Sequence, residues 1–102
     1  MAAESLRLDK FLWFARIVKT RALAQALAED GRIRIGGRLI DRAHAAVRAG
    51  DVLSFAHRGR VRVIQVEALP VRRGPPAEAR LLYRELSDGS AGQPLTSQGG
   101  DD

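Results

Sequence analysis

The stretch RLDKFLWFARIVKTRALAQALAEDGRIRI, residues 7–35, changes its hydrophobic period partway along, and that change decides the fold. Leu8, Phe11, Leu12, Ala15 and Val18 recur at i, i+3, i+4, i+7 and i+10, which is one face of an amphipathic helix. Lys19-Thr20 breaks the pattern. Thr20 is placed to cap a second helix, Arg21 to Asp30, by accepting from an unpaired N–H of its first turn. That helix is alanine-rich and is expected to bury Leu23, Ala26 and Leu27. Gly31 ends it, because glycine takes the left-handed conformation found just past helix C-termini. Arg32-Ile33-Arg34-Ile35 then alternates polar and apolar residues, the two-residue period of a strand, with both arginines on one side.

Downstream the strand pattern continues. Gly36-Gly37 makes a two-residue hairpin turn, since both positions tolerate positive φ, and Arg38 to Asp41 returns from it. Arg42 to Val47 reads as an irregular connection. Gly50-Asp51 turns into a strand from Val52 to Phe55, and His57-Arg58-Gly59 into another from Val61 to Val66. Pro70 and Arg72-Arg73-Gly74-Pro75-Pro76 make a rigid basic linker, after which Ala79, Leu82, Tyr83 and Leu86 have the spacing of a short docked helix. From Ser87 only Leu95 is large and apolar, too little burial to offset the entropy of ordering, so a disordered tail is expected. The chain reads as α+β: two N-terminal helices, a small antiparallel sheet and a short C-terminal helix. Its parts are a compact domain over 6–70, linker and helix over 71–86, and a polar tail over 87–102.

The 102 residues suffice for one hydrophobic core, and 45% are apolar. Cysteine is absent, which excludes disulfides and thiolate metal sites and suits a reducing cytoplasm. The apolar run from Phe11 to Ile17 is broken by Arg16 and is far below spanning length, and the first residues lack the pattern of a secretory signal. No membrane association is expected. Charge is uneven: residues 1–64 hold 13 Lys and Arg against 6 Asp and Glu, whereas residues 65–102 hold 4 against 6. Positive charge concentrated on one compact unit is the footprint of a nucleic-acid binder.

Lys10 and Arg16 lie off the apolar stripe with Trp13 between them, while Lys19 and Arg21 straddle the inter-helix turn. Arg32 and Arg34 share the outer side of the following strand. None of these six is acidic, and guanidinium groups match phosphate geometry bidentately. A solvated face is the competing reading; RNA contact is preferred for the group. Asp9 is expected to serve the positive end of the first helix. Trp13, Phe14 and Ile17 could stack on bases, but aromatic residues at helical spacing are usually core, so burial is expected. His44 and His57 stand outside any metal-like cluster. Thr20, Ser54 and Tyr83 lack a base at diagnostic spacing, and the glycines do not form a phosphate loop. Arg72 and Arg73 read equally as added RNA contacts or a solvated hinge. No catalytic residue, cofactor or metal is expected.

The string Arg7-Leu8-Asp9-Lys10-Phe11-Leu12-Trp13-Phe14-Ala15-Arg16, with Lys19-Thr20-Arg21 and Ala24, resembles the opening of the S4 RNA-binding domain. The resemblance continues through Leu27, Gly31, Ile33, Ile35 and Gly50-Asp51-Val52-Leu53. A second block, Arg72-Arg73-Gly74-Pro75 through Glu78-Ala79 to Leu82-Tyr83, is similar to the segment following this module in ribosome-associated heat-shock proteins of the fifteen-kilodalton class. The resemblance implies a helix pair and hairpin that grip structured RNA. It also implies a preference for free large ribosomal subunits still carrying a nascent chain on tRNA after stalled translation. The RNA-binding set is then Arg7, Lys10, Arg16, Lys19, Thr20, Arg21, Arg32, Arg34 and Arg38. The partners would be ribosomal RNA of the large subunit and the tRNA of a stalled peptidyl-tRNA, and the protein a cytoplasmic monomer. Two departures stand out. Gly36-Gly37 and Ala43-His44 replace an Asn-containing turn and a Pro-Ser pair common among relatives, and a polar, slightly acidic tail replaces the long basic extension of some members.

Two other functions compete. The same module delivers RNA to pseudouridine synthases, methyltransferases and tyrosyl-tRNA synthetases, but no catalytic domain is legible here. A DNA-binding helix-turn-helix also opens with two helices and a short turn. Against it, the cations spread over both helices and the next strand.

Overall fold

The computed structural model describes residues 4–87. Helix α1, Leu8–Phe14, buries Leu8, Phe11 and Leu12 completely, as the apolar stripe requires. Beyond it Arg16 adopts a left-handed backbone (φ 59°), which reverses the chain so that the Ile17 and Val18 N–H groups both return to the Leu12 carbonyl. Helix α2, Arg21–Glu29, begins where Thr20 Oγ1 accepts from the Leu23 N–H at 3.1 Å. Its buried residues are Ala24 and Ala28. Leu23 is 51% exposed, Ala26 is exposed and Leu27 half-buried, which corrects the stripe expected from leucine spacing. The large side chains of this layer come from α1, so close packing against it favours the small face of α2.

The strands are β1 (Leu6–Arg7), β2 (Ile33–Ile35), β3 (Arg38–Ile40), β4 (Ala46–Val47), β5 (Val52–His57), β6 (Arg60–Val66) and β7 (Tyr83–Ser87). Five form an antiparallel sheet in the order β3-β2-β5-β6-β7, while β1 pairs with β4. Gly36 and Gly37, at φ 59° and 86°, make the tight β2–β3 turn. One face of the sheet contributes Ile33, Ile35, Leu53, Phe55, Ile64 and Val66 to the core that α1 and α2 cover. Strand β4 lies in the segment that reads as irregular, and its pairing with β1 sets Arg7 opposite Ala46.

The C-terminal segment departs from its expected form. A short helix is present, α3 at Pro76–Ala79, followed by a 3-10 turn at Arg80–Leu82, but Tyr83–Ser87 is a strand. Without it β6 would expose a row of open backbone groups. Tyr83 pairs with Val66 and Glu85 with Ile64, filling that edge. The pattern Tyr-Arg-Glu-Leu suits either period, and a sheet edge in need of a partner selects the strand. The expected disordered tail lies outside the described residues, apart from Ser87. The architecture is α+β.

Candidate nucleic-acid interface

The first turn of α1 is built against the 43–45 segment. The Leu8 N–H donates to the Ala45 carbonyl at 2.8 Å and the Asp9 N–H to the Ala43 carbonyl at 3.1 Å. This sinks Asp9 into the protein, where its side chain is 0% exposed. Asp9 Oδ1 accepts from Arg7 Nε at 3.0 Å and from the Lys10 N–H at 2.8 Å, and Oδ2 accepts from Arg7 Nη2 at 3.0 Å. Arg21 Nη2, arriving from the start of α2, lies 3.6 Å from the same Oδ2. Burial alone would raise the Asp9 pKa. The Arg7 hydrogen bonds, the Lys10 N–H and the charges of Arg7 and Arg21 prevail and hold it below the ordinary carboxylate value.

Two guanidinium groups thus share one carboxylate, and the cluster keeps a net positive charge. Arg7 and Arg21 remain 45% and 38% exposed at their side chains. Asp9 therefore orients both arginines while leaving them open to an anion. This role goes beyond the helix-dipole function read from sequence. It depends on Arg21 folding back from the second helix, which spacing does not show.

The other candidate cations divide into groups. Lys10, Lys19 and Arg38 take part in no ion pair among the described residues. Arg32 pairs with Asp30 at 3.0 Å, and Arg34 Nη1 donates to the Gly37 carbonyl at 3.0 Å, across its own hairpin turn. The register sets Arg34 opposite Leu39 and Arg38 opposite Ile35, so the two arginines start from opposite faces of the hairpin. Arg38 borders a hollow with Arg42 and His44, whereas Lys10 borders another with Glu4, Phe14 and Leu69. Arg16 and Lys19 line an open groove at the α1–α2 junction. The structure thus brings Arg7 and Arg21 together, and Arg16 with Lys19. Arg32, Arg34 and Arg38 lie on and around the β2–β3 hairpin, and Thr20 is occupied as a cap.

Trp13 and Phe14 are half-buried and Ile17 is buried. The Arg73 guanidinium sits 5.8 Å from the centre of the Trp13 ring, and its Nε donates to the Trp13 carbonyl at 3.1 Å. Arg16 Nε in turn donates to the Gly74 carbonyl at 2.7 Å. The basic linker is therefore docked on the end of α1, and the indole is engaged within the protein. Among the described residues there is no group of three or more potential metal-binding side chains.

The helix pair, its second helix capped by Thr20, leads into an antiparallel sheet, and the S4 domain family model matches residues 6–53 of this arrangement. The sequence is 36% identical to heat shock protein 15 of Escherichia coli K12 over 86 residues, covering 84% of this chain and 64% of that protein. It is 39% identical over 64 residues to the RQC P-site tRNA stabilizing factor of Bacillus subtilis, covering 63% of this chain and 73% of that one. Among solved structures, heat shock protein 15 of Vibrio cholerae, described as trimeric, superposes with a TM-score of 0.76. That match has 32% identity over 84% of this chain and 86% of the other. The chain belongs to the S4-domain family, and the relatives it resembles include heat shock protein 15. It spans about two thirds, 64%, of the length of the Escherichia coli protein.

Proposed function

We propose that this protein is a non-catalytic RNA-binding protein that docks on structured ribosomal RNA, on free large subunits carrying stalled nascent chains, in the cytoplasm. The observation that carries the reading is the buried Asp9 carboxylate with Arg7 and Arg21 arranged around it. Folded RNA is read through its backbone, 2′-hydroxyls and shape. Guanidinium groups already held in place lose less freedom on meeting phosphate than free side chains do. Lys10 and Lys19 add charge with no ion-pair partner among the described residues. The action is positioning: phosphate contacts fix the protein at one RNA junction, next to the tRNA that such a subunit holds. The names of the relatives, one for heat shock and one for stabilising P-site tRNA, support placing that junction on the ribosome during stress or quality control.

A DNA-reading helix is disfavoured by α2, whose only cation is Arg21 at its first position. No helix of the described residues is long and apolar enough to cross a membrane. The test is sedimentation of a lysate containing the tagged full chain through a sucrose gradient. The chain should travel with free large subunits and be released by high salt. Recovery at the top of the gradient under low salt, with intact subunits present, overturns the proposal. Sedimentation velocity of the purified protein distinguishes the expected monomer from a trimer.

A further inference from the structure

Away from the Asp9 cluster, the turn between β5 and β6 faces the α1–α2 junction across an open groove of about 700 Å³. Arg16 and Lys19 line it from the connection between the helices, and His57, Arg58 and Arg60 from the hairpin. Glu85 is the acidic residue among those lining it, and Arg62 occupies it through hydrogen bonds of 2.7 and 3.1 Å. Lys19, Arg58 and Arg60 therefore meet the groove with no ion-pair partner among the described residues. Exposed cations converging on one concavity concentrate positive potential there.

The backbone makes an independent observation. Two non-glycine residues have positive φ among the described residues, Arg16 at 59° and Arg58 at 56°, and both line this groove. Side chains with a Cβ disfavour that conformation. Arg58-Gly59 is a two-residue hairpin turn with φ values of 56° and 76°, where asparagine or glycine is the favoured first residue. Turn sterics alone do not select arginine at position 58. Strained residues gather at functional sites, and these two line the same groove. His57 agrees with a cationic setting, since burial and the charges of Arg58 and Arg62 lower its pKa.

We propose that this groove is a second phosphate-binding surface, which carries an RNA strand from the α1–α2 junction onto the β5–β6 hairpin through Lys19, Arg58 and Arg60. The inference rests on the RNA-binding reading above and extends the footprint to a hairpin outside the 6–53 match. Arg58 and Arg60 hold phosphate oxygens through paired N–H groups, and Lys19 acts as a point charge.

The test uses the full chain with Arg58→Asn and Arg60→Gln together, titrated with purified large-subunit ribosomal RNA over a series of salt concentrations. Affinity should fall about tenfold, and the slope of log affinity against log salt should shrink by about two. The melting temperature should hold or rise, because Asn-Gly suits the turn better than Arg-Gly. Arg60→Gln alone, which leaves the turn untouched, should reduce the slope by about one. Equal affinity and slope in both variants, while wild type binds, overturn the groove and leave the RNA-binding reading standing. Absence of wild-type binding overturns both.

Discussion

Arg16 donates its Nε–H to the Gly74 carbonyl at 2.7 Å, tying the left-handed turn after α1 to a segment 58 positions further along the chain. Arg73 makes the reciprocal tie, from the linker to the Trp13 carbonyl and ring. Arg72 pairs with Glu78 at 3.3 Å. The basic linker is thus a strap across the end of α1, which argues against the solvated hinge that composition equally allows.

Arg16→Gly should loosen that strap without unfolding the domain. Glycine relieves the positive φ while the hydrogen bond is lost, so global stability should stay within about 1 kcal/mol of wild type. Trypsin should nonetheless cut after Arg73 several-fold faster, since local opening governs cleavage. An unchanged cleavage rate would show that the Gly74 contact holds nothing in place.

Asp9→Asn should lower stability by about 2 kcal/mol, read as a shift of the urea midpoint, because Arg7 and Arg21 lose the charge they share. The effect has a defined pH window. The folded-state pKa of Asp9 lies below its ordinary value of 3.8. Its contribution is therefore fully present above that value and is lost as pH falls through the lower, folded-state pKa. The wild-type advantage over Asp9→Asn should shrink on acidification through that range. A gap that stays constant with pH would place the loss in packing.

Lys10→Glu with Lys19→Glu should weaken ribosomal RNA binding at least about tenfold and reduce the salt slope by about two. Both side chains lack ion-pair partners among the described residues, so the urea midpoint should move little. Reversing Arg21 is the poorer experiment, because a glutamate there would meet the buried Asp9 carboxylate. Retention of the full slope by the double variant would remove both lysines from the interface.

His57 should make stability fall as pH drops from neutrality. Its folded-state pKa is lowered from 6.5 by burial and then by Arg58 and Arg62. As pH falls below about that ordinary value the unfolded chain takes up the proton first, so the native state loses ground until the folded-state pKa is passed. His57→Gln should remove this component from urea midpoints compared at pH 8 and at about pH 5.5. Equal pH dependence in the two proteins would refute it.

What could be read directly from the residues was local. The α1 stripe, the Thr20 cap, the Gly36-Gly37 turn and the alternation around Ile33 each depend on neighbours within a few positions. Backbone sterics and hydrogen-bond geometry act over that range, and all four features are present, although α1 ends at Phe14 and Ala15 and Val18 are buried from the turn beyond it. The concentration of cations in the first 64 residues is likewise composition alone. The faces those elements present were harder to read. Leucine spacing placed Leu23 inside, yet α2 turns its alanines inward because the space against α1 admits small side chains. Tyr83–Ser87 has a pattern fit for two periods, and only the open edge of β6 made it a strand.

The α+β class, the order of the first elements and the S4-domain family all follow from short-range periodicity and motifs. Which cations come together depends on packing in three dimensions. Asp9 gathers Arg7 and Arg21 from separate elements, Arg34 and Arg38 diverge across a register, and Arg58 comes opposite Lys19 across a groove. The interaction between charges falls off with distance through space, not along the chain. The grouping therefore exists only once the helix pair and the sheet have been packed together.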